Sequence, residues 1–327
     1  MTDDMKVFGL HASRAFGQKV ADHLGVELSA HEERAFDEGE HKTRPLVNVR
    51  GADVFVIQSL YSGPDESVND KLCRLLFFAG ALRDAAASRV TVMTPYLCYA
   101  RKDRKTQTRD PVTTRYVASL FKAVGVDRVV TIDVHNLAAY QNAFRCRTEH
   151  LEARSLFARH LAKTCANDDL VILSPDVGGM KRAETFRRSL ENMIDRPVDI
   201  GFMEKRRALG EVSGERLYAE VDGKTVVMID DIIGSGTTME RAAQACLEAG
   251  AQQVFAAATH GLFVGRAGEV IGGNALTKTL VTDSVPPFRL NAATVKAKVT
   301  VLTAAPLFGD AIRAIHENGS IVELLAD

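Results

Sequence analysis

The sequence predicts an α/β protein with mostly parallel sheets flanked by helices, arranged as two similar halves. Short apolar runs rich in valine and isoleucine alternate with longer amphipathic stretches along the chain. Most of these runs are apolar on both faces, which is typical of parallel strands covered by helices on each side. The repeated order of strand and helix indicates the α/β class.

The elements follow from these patterns in chain order. Residues 68–87, 111–124 and 237–249 are predicted to be helices, with Asp110 as an N-cap before Pro111 and Gly250 ending the third. A last strand at 299–303 and a helix at 306–317 complete the chain. The other predicted strands are residues 54–59, 89–94, 128–133, 170–174 and 225–230.

Two segments resemble each other and suggest the division into halves. Residues 126–135 and 223–232 each contain a strand that ends in an acidic residue. The length of 327 residues fits two domains of about 150 residues each. We therefore expect domains at 1–150 and 151–303, with the segment 304–327 packing back on the first domain.

Composition and charge exclude several classes of protein. Lys and Arg number 41 and Asp and Glu number 42, so the net charge of −1 argues against a main role in gripping nucleic acid or an anionic membrane. No apolar run approaches the roughly 20 residues that a membrane helix needs, and the N-terminus lacks the pattern of a signal peptide. The five cysteines include no CxxC pair, so we expect buried, reduced thiols in a cytoplasmic protein.

The segment 227–239 carries the strongest chemical signal. An apolar strand leads into Asp230 and Asp231, and a turn rich in glycine and hydroxyl groups then opens a helix. Backbone N–H groups at such a turn form a phosphate cradle, and the two carboxylates can accept hydrogen bonds from vicinal sugar hydroxyls. A sugar phosphate is therefore the predicted ligand. The turn comprises Gly234, Ser235, Gly236, Thr237 and Thr238.

Other interpretations of this segment are weaker. It lacks the GxxxxGK[ST] pattern of a Walker loop and the third glycine of the dinucleotide fingerprint. The plain alternative is a glycine turn whose hydroxyl groups cap the following helix. A turn of that kind would not need paired acids.

The segment resembles the phosphoribosyl-diphosphate (PRPP) binding signature that type I phosphoribosyltransferases share with ribose-phosphate diphosphokinases (PRPP synthases). Further motifs favour the PRPP synthase family, because they occur in that family's order over nearly the whole chain. The resemblance implies two phosphoribosyltransferase-like domains, the first binding ATP and the second binding ribose 5-phosphate. These motifs are 95–105, 131–135, 174–182, 204–207, 259–263 and 305–308.

The resemblance assigns the ATP side to three groups of residues. Phe36, Glu38 and Glu40 would hold the adenine base, although such a segment alone is more often a polar turn. Arg101 and Lys102 would bind the nucleotide phosphates; they belong to a run of five cations at 101–109 that could otherwise be a solvated face.

Two further residues are implied as metal ligands. His135 matches the family's Mg²⁺-linked DxH motif, although a lone histidine is more often structural. Asp176, beside two glycines, corresponds to an acid that binds the sugar or a second divalent ion. Mg²⁺ is therefore the expected cofactor.

Catalytic cations are implied at Lys205 and Arg207. They precede a polar stretch, 208–215, whose glycines suit a mobile lid. Without the resemblance, a charged surface turn is an equally good interpretation. One departure from the family is Gly234, which stands where typical members carry a further acid.

The expected reaction is transfer of the diphosphoryl group of ATP to O1 of ribose 5-phosphate, giving PRPP and AMP. The alternatives are a phosphoribosyltransferase that consumes PRPP and a catalytically silent homologue that acts as a regulatory partner. The resemblance also implies a homo-oligomer, with dimers that can build a hexamer, and neither nucleic-acid nor membrane partners.

Overall fold

The chain divides into two compact units, each with its own hydrophobic core. The computed structural model describes residues 4–165, 167–208 and 211–325. The first unit comprises residues 4–152 together with 304–325, and the second lies between Ala153 and Thr303.

The first unit is built on a five-stranded parallel sheet. Its elements in chain order are β1 (Met5–Gly9), α1 (Arg14–Leu24), β2 (His31–Ala35), β3 (His41–Pro45), β4 (Asp53–Ile57), α2 (Val68–Asp84), β5 (Arg89–Met93), α3 (Thr113–Ala123), β6 (Arg128–Ile132), α4 (Leu137–Ala143) and β7 (Arg147–Leu151). The sheet order is β1-β4-β5-β6-β7, and β2 and β3 form a separate antiparallel hairpin. All five residues of β4 are buried, as expected for a central parallel strand.

The second unit carries a seven-stranded sheet. Its elements are α5 (Arg154–Thr164), β8 (Leu170–Ser174), α6 (Met180–Ile194), β9 (Asp199–Ala208), β10 (Glu211–Tyr218), β11 (Thr225–Ile233), α7 (Thr237–Glu248), β12 (Gln253–Gly261), α8 (Ala267–Gly272), β13 (Lys278–Thr282), α9 (Ala292–Lys298) and β14 (Val299–Leu302). The order is β10-β9-β8-β11-β12-β13-β14, and only the β9–β10 pair among these described strands is antiparallel. The predicted α/β class with mostly parallel sheets is confirmed.

The last helix, α10 (Ala305–His316), packs on α1 within the first unit. Phe308 of α10 meets Phe16 of α1 edge to face, with ring centroids 5.5 Å apart. At the end of α10, His316 Nδ1 lies 2.8 Å from Oδ2 of the buried Asp53. Arg89 pairs with the same carboxylate and also donates to the carbonyl of Ile315, so a charged cluster fixes this end of the helix.

One predicted helix start is wrong. The N-cap of α3 is Val112 and not Asp110, and no side chain of the described residues caps this helix. The Asp110 carboxylate instead accepts hydrogen bonds from the preceding loop, from Lys102 Nζ at 2.5 Å and from the backbone N–H groups of Thr106 and Gln107. An acid that can turn back on its own loop is therefore not available to cap the helix that follows.

The cysteines agree only in part with the expectation of buried thiols. All five are free, but Cys73 is exposed and Cys146 is half-buried. Burial raises the pKa of the Cys98 and Cys246 thiols to about 12, so these two remain protonated and unreactive at neutral pH. Among the described residues, no helix has the length and apolar character to cross a membrane.

Candidate active site

In the first unit, the loops that follow two neighbouring strands are joined to each other. Strands β5 and β6 are adjacent and parallel, so the loops at their carboxyl ends leave the same edge of the sheet. Asn136, after β6, donates from Nδ2 to Oδ2 of Asp103, after β5, at 2.6 Å. The predicted phosphate-binding loop and the predicted metal-binding loop therefore form one connected surface.

The two predicted phosphate ligands differ in their surroundings. Arg101 is exposed. Lys102 is half-buried and pairs with Asp110, whose pKa is held far below its usual value by hydrogen bonds from Lys102 and Thr106. Thr114, at the start of α3, donates to the carbonyls of Tyr99 and Lys102 and anchors the loop.

Asp133 and His135 lie just beyond the end of β6. Asp133 is half-buried and takes a left-handed backbone conformation, φ +41°, which turns the chain away from the sheet. Its N–H donates to the Leu151 carbonyl, and the N–H of Val134 donates to Nε2 of His150. These bonds fix the turn, and His135 is exposed on it.

The predicted adenine-binding segment is the turn between β2 and β3. The N–H of Phe36 donates to the Glu40 carbonyl at 2.8 Å, and Gly39 closes the turn with φ +91°. Phe36 is half-buried with the Arg34 guanidinium 5.0 Å from its ring centroid, whereas Glu38 and Glu40 are exposed. The segment is thus a polar turn that presents one aromatic face.

In the second unit, one arginine bridges the two adjacent acids. Strand β11 continues through Asp230 and Asp231 to Ile233, although the sequence predicted that it would end at residue 230. Arg182, in the first turn of α6, donates from Nη1 to Asp230 Oδ1 at 2.9 Å and from Nη2 to Asp231 Oδ1 at 3.0 Å. The acids are therefore held as a pair by one guanidinium.

This pair has an unusual titration. Burial raises the pKa of Asp230 to about 7, the adjacent Asp231 adds to the shift, and the Arg182 guanidinium opposes it. The Asp231 side chain is only 4% exposed, compared with 26% for Asp230. Near neutral pH, Asp230 can therefore both donate and accept hydrogen bonds.

The turn after β11 presents the N-terminus of α7. Gly236 is the N-cap in a left-handed conformation, and no side chain of the described residues caps this helix. A Cβ at Gly236 would lie 2.9 Å from Val270 Cγ1, so glycine is required here by both conformation and space. The Ser235 and Thr237 hydroxyls lie 3.1 Å apart, and Thr237 and Thr238 are half-buried. The capped turn that was the plain alternative is therefore not observed.

The loop after β12 is hydrogen-bonded to the turn after β11. The N–H groups of Leu262 and Phe263 donate to the Ile233 carbonyl, and that of Val264 donates to the Gly234 carbonyl at 3.0 Å. A Cβ at Gly234 would meet open space, and its φ is not positive, so the backbone conformation does not require glycine here.

Asp176 follows β8, the strand next to β11. Its Oδ1 accepts from the Gly179 N–H at 3.0 Å, and the Ser174 hydroxyl donates to its carbonyl. A Cβ at Gly179 would lie 2.6 Å from the Ser174 hydroxyl oxygen, so the glycine permits this close approach. The loops after β8 and β11 thus leave one sheet edge side by side.

The expected lid segment is a hairpin over most of its length. Lys205 and Arg207 lie on β9, which pairs antiparallel with β10, placing Lys205 opposite Glu215 and Arg207 opposite Val212. The stretch 208–215, predicted as a non-strand polar lid, contributes Ala208 and residues 211–215 to these strands. Residues 209 and 210 and the Lys205 and Arg207 side chains lie outside the described part.

Sequence reasoning missed two residues that organise these loops. Arg182 lies in the 174–182 motif, but the sequence assigned it no role. An arginine in the first turn of a helix that follows an Asp-containing loop can pair with acids on the neighbouring strand. The sequence also predicted Asp110 as a helix cap, whereas its carboxylate pairs with Lys102. The signal that could have identified this role is the presence of that lysine eight positions earlier.

These loops define a two-unit α/β protein with an uncapped glycine-rich turn beside an acid pair in one unit and a cationic, histidine-bearing edge in the other. The family model of the N-terminal domain of ribose phosphate pyrophosphokinase matches residues 5–125. The model of the phosphoribosyl synthetase-associated domain matches residues 209–326.

Relatives match the chain along nearly its whole length. A ribose-phosphate pyrophosphokinase of Caldanaerobacter subterraneus is 35% identical over 99% of this chain and 98% of its own length. One of Vibrio parahaemolyticus is 37% identical over 97% and 98%. The crystal structure of phosphoribosylpyrophosphate synthetase from Mycobacterium smegmatis is 33% identical, with a TM-score of 0.88 over 97% of this chain and 100% of that one.

The chain belongs to the ribose-phosphate pyrophosphokinase (PRPP synthase) family. Its two units are accordingly phosphoribosyltransferase-like domains. The family expected from the sequence motifs is confirmed.

Proposed function

We propose that the chain catalyses transfer of the diphosphoryl group of ATP to ribose 5-phosphate, giving PRPP and AMP. The observation that best supports this is the acid pair clamped by Arg182 beside the uncapped turn of α7. Carboxylate oxygens accept from vicinal hydroxyls, and helix N–H groups bind a phosphate. One ribose phosphate satisfies both.

We assign ribose 5-phosphate to the second unit and ATP to the first. Asp230 and Asp231 bind the ribose hydroxyls, and Gly234, Ser235, Gly236, Thr237 and Thr238 hold the 5-phosphate. Arg101 and Lys102 contact the ATP phosphates, and the Phe36 ring and the Glu38 and Glu40 carboxylates receive adenine and its amino group.

The donor groups in both units suit Mg²⁺. The turn at Asp133 offers a half-buried carboxylate and the exposed imidazole of His135, and the Asp176 carboxylate has one oxygen fixed by Gly179. Few protein ligands are enough, because Mg²⁺ keeps several waters and binds substrate phosphates. His135 would hold one ion and Asp176 a second, and Mg²⁺ offsets negative charge on the phosphates when it is bound.

The reaction forms a bond between the anomeric oxygen and the β-phosphorus of ATP. The bond from that phosphorus to the oxygen of the α-phosphate breaks, AMP leaves, and the hydroxyl proton is released. Charge develops on the phosphoryl oxygens, so positioning and electrostatic stabilisation supply most of the catalysis. Lys205 and Arg207 are the cations that stabilise this charge.

A lysine substitution tests the catalytic role. Lys205→Ala should retain ribose 5-phosphate binding and lose turnover by orders of magnitude. Lys224→Ala is the control, because Lys224 lies in the same unit and pairs with the exposed Asp199 carboxylate. Near-normal turnover of the Lys205 variant would refute the assignment.

The reaction is tested by AMP release from ATP, Mg²⁺ and ribose 5-phosphate, compared with the mixture without the pentose. Pentose-dependent AMP with no nucleobase present is the expected result. Nucleotide and diphosphate formed from PRPP and a nucleobase, with no AMP released from ATP, would indicate a phosphoribosyltransferase, and neither activity would indicate a silent homologue. A homo-oligomer is part of this proposal and is checked by sedimentation.

A further inference from the structure

Three potential metal ligands meet at the edge of the first unit, outside the loops assigned to substrates. His11 opens the 3-10 turn after β1, and His31 and Glu33 are alternate residues of β2. Alternate residues of a strand lie on the same face. The two β2 side chains therefore point together toward the segment that contains His11.

The ligand atoms are close enough to share one ion. His31 Nε2 lies 2.8 Å and His11 Nδ1 lies 3.9 Å from Glu33 Oε1, and all three ligand atoms lie within 4.8 Å of one another. In a tetrahedral zinc site with bonds of about 2.0 Å, ligand atoms are about 3.3 Å apart. The observed separations fall on either side of this value, so small side-chain rotations would suffice.

The surroundings fix the carboxylate. The Glu33 and His31 side chains are only 1% and 2% exposed, respectively. Arg74 Nη1 donates to the other oxygen, Glu33 Oε2, at 3.2 Å, and also pairs with Glu66 at 2.8 Å. Glu33 Oε1 also accepts a hydrogen bond from the His11 backbone N–H at 2.5 Å, which holds this oxygen beside the two imidazoles. A hydrogen-bonded carboxylate with one oxygen directed at the ion is the usual arrangement around a metal ligand.

The cluster also has an entry path. The His11 side chain is 52% exposed, and His11 lines a cavity of about 310 Å³ together with Tyr61, Glu66 and Lys71. The two imidazole rings are tilted by 47° with centroids 5.3 Å apart, so they are not stacked face to face. An ion can therefore reach the cluster without unfolding the hairpin.

We propose that His11, His31 and Glu33 bind a divalent transition-metal ion of the zinc class. Two imidazoles and a carboxylate form a donor set typical of zinc sites with a fourth, open position. The ion would tie the segment after β1 to β2, which leads directly into the turn at Phe36. It would act as a brace for that turn.

This site is distinct from the proposed Mg²⁺ ligands of the first unit. In the sheet order, β4 and β5 separate β1 from β6, so the ends of β1 and β6 are about 14 Å apart at ~4.8 Å per strand. The donors also differ, since imidazole nitrogen favours zinc and oxygen favours Mg²⁺.

The test measures Zn²⁺ binding to the full chain in saturating Mg²⁺, by competition with a chromophoric chelator. We expect one tight site per chain and a Zn²⁺-dependent rise in the midpoint of thermal unfolding. His11→Ala, which removes a half-exposed side chain, should weaken Zn²⁺ binding at least tenfold and abolish the thermal shift. His160→Ala, in the second unit, is the matched control and should bind like the unsubstituted chain.

Two results would overturn the proposal. One is Zn²⁺ affinity that is equal in the unsubstituted chain and in His11→Ala, including no binding in either. The other is a Co²⁺ complex whose absorption shows thiolate-to-metal charge transfer, since that assigns the ion to a cysteine. Glu33→Gln, if it folds, should behave as His11→Ala does.

Discussion

Strands β6 and β11 begin alike and end differently. β6 contains Val-Val-Thr-Ile at 129–132 followed by Asp133, and β11 contains Val-Val-Met-Ile at 226–229 followed by Asp230. Asp133 leaves the sheet with φ +41°, and the capped helix α4 starts four residues later. Asp230 stays in the sheet, paired with Ala258 of β12, and the strand runs on to Ile233.

The residues after the acid explain the difference. Asn136 caps α4 with its side chain, which stops the strand early and leaves Asp133 in a tight turn. In the second unit, Ile232 and Ile233 extend the strand because β-branched residues suit a sheet. Two similar core strands thus lead into an exposed turn with an acid and a histidine in one unit and into a clamped acid pair in the other.

Among the variants that test this comparison, the largest expected effect comes from breaking the clamp. Arg182→Met leaves two adjacent carboxylates without their shared cation, and truncating one partner of such a pair costs about 2–5 kcal/mol. The KM for ribose 5-phosphate should rise by about 30-fold or more, with little change in kcat or in the KM for ATP. Arg188→Met, on the exposed face of the same helix, is the control. An equal loss in kcat alone would contradict the positioning role.

The glycine-rich turn before α7 is the next most sensitive position. Gly236→Ala forces a side chain into a left-handed conformation, which costs about 1–2 kcal/mol, and also into contact with Val270. Thermal unfolding should shift down and the KM for ribose 5-phosphate should rise about tenfold. Gly234→Ala, which faces open space, should stay within about 0.5 kcal/mol of the unsubstituted chain.

A smaller effect is expected from pH. Because the pKa of Asp230 is raised to about 7, the carboxylate gains a proton as pH falls through 7, and ribose 5-phosphate binding should weaken. The folded chain keeps that proton between pH 3.8 and about 7 while the unfolded chain has lost it, so Asp230 lowers stability as pH rises across this window. Asp230→Asn should remove both dependences and leave only the titration of the substrate phosphate near pH ~6. A KM profile that is unchanged in the variant would exclude Asp230 as the titrating group.

The smallest effect concerns the first unit. Asn136→Ala removes the α4 cap and the bond to Asp103, at a cost of about 1 kcal/mol. The KM for ATP should rise a few-fold, and that for ribose 5-phosphate should not change. Asn291→Ala removes an equivalent cap from α9 without touching the first unit. If both variants change the KM for ATP equally, the link to Asp103 has no role.

Local signals were sufficient for six of the fourteen described strands and for the glycine-rich turn that opens α7, because apolar runs and a Gly-Ser-Gly-Thr-Thr segment are recognisable within a short stretch of sequence. It was not sufficient for partnerships between distant residues. Arg182 lies 48 positions from Asp230, and no local pattern records that distance. The sequence also predicted the wrong end for β11. Acidic residues are normally unfavourable in strands, and here the ion pairs of Arg182 with Asp230 and Asp231 outweigh that preference.

The central claim is that two similar core strands, β6 and β11, lead into sites that bind different ligands. Calorimetric titration of one variant from each site with both ligands tests it most directly. Asp231→Asn and Asp133→Asn would each be titrated with ribose 5-phosphate and with ATP in the presence of Mg²⁺. The account predicts at least a tenfold loss of ribose 5-phosphate affinity in Asp231→Asn with ATP binding unchanged, and the opposite pattern in Asp133→Asn. The account is contradicted if each variant weakens both ligands equally, or if the pattern is reversed.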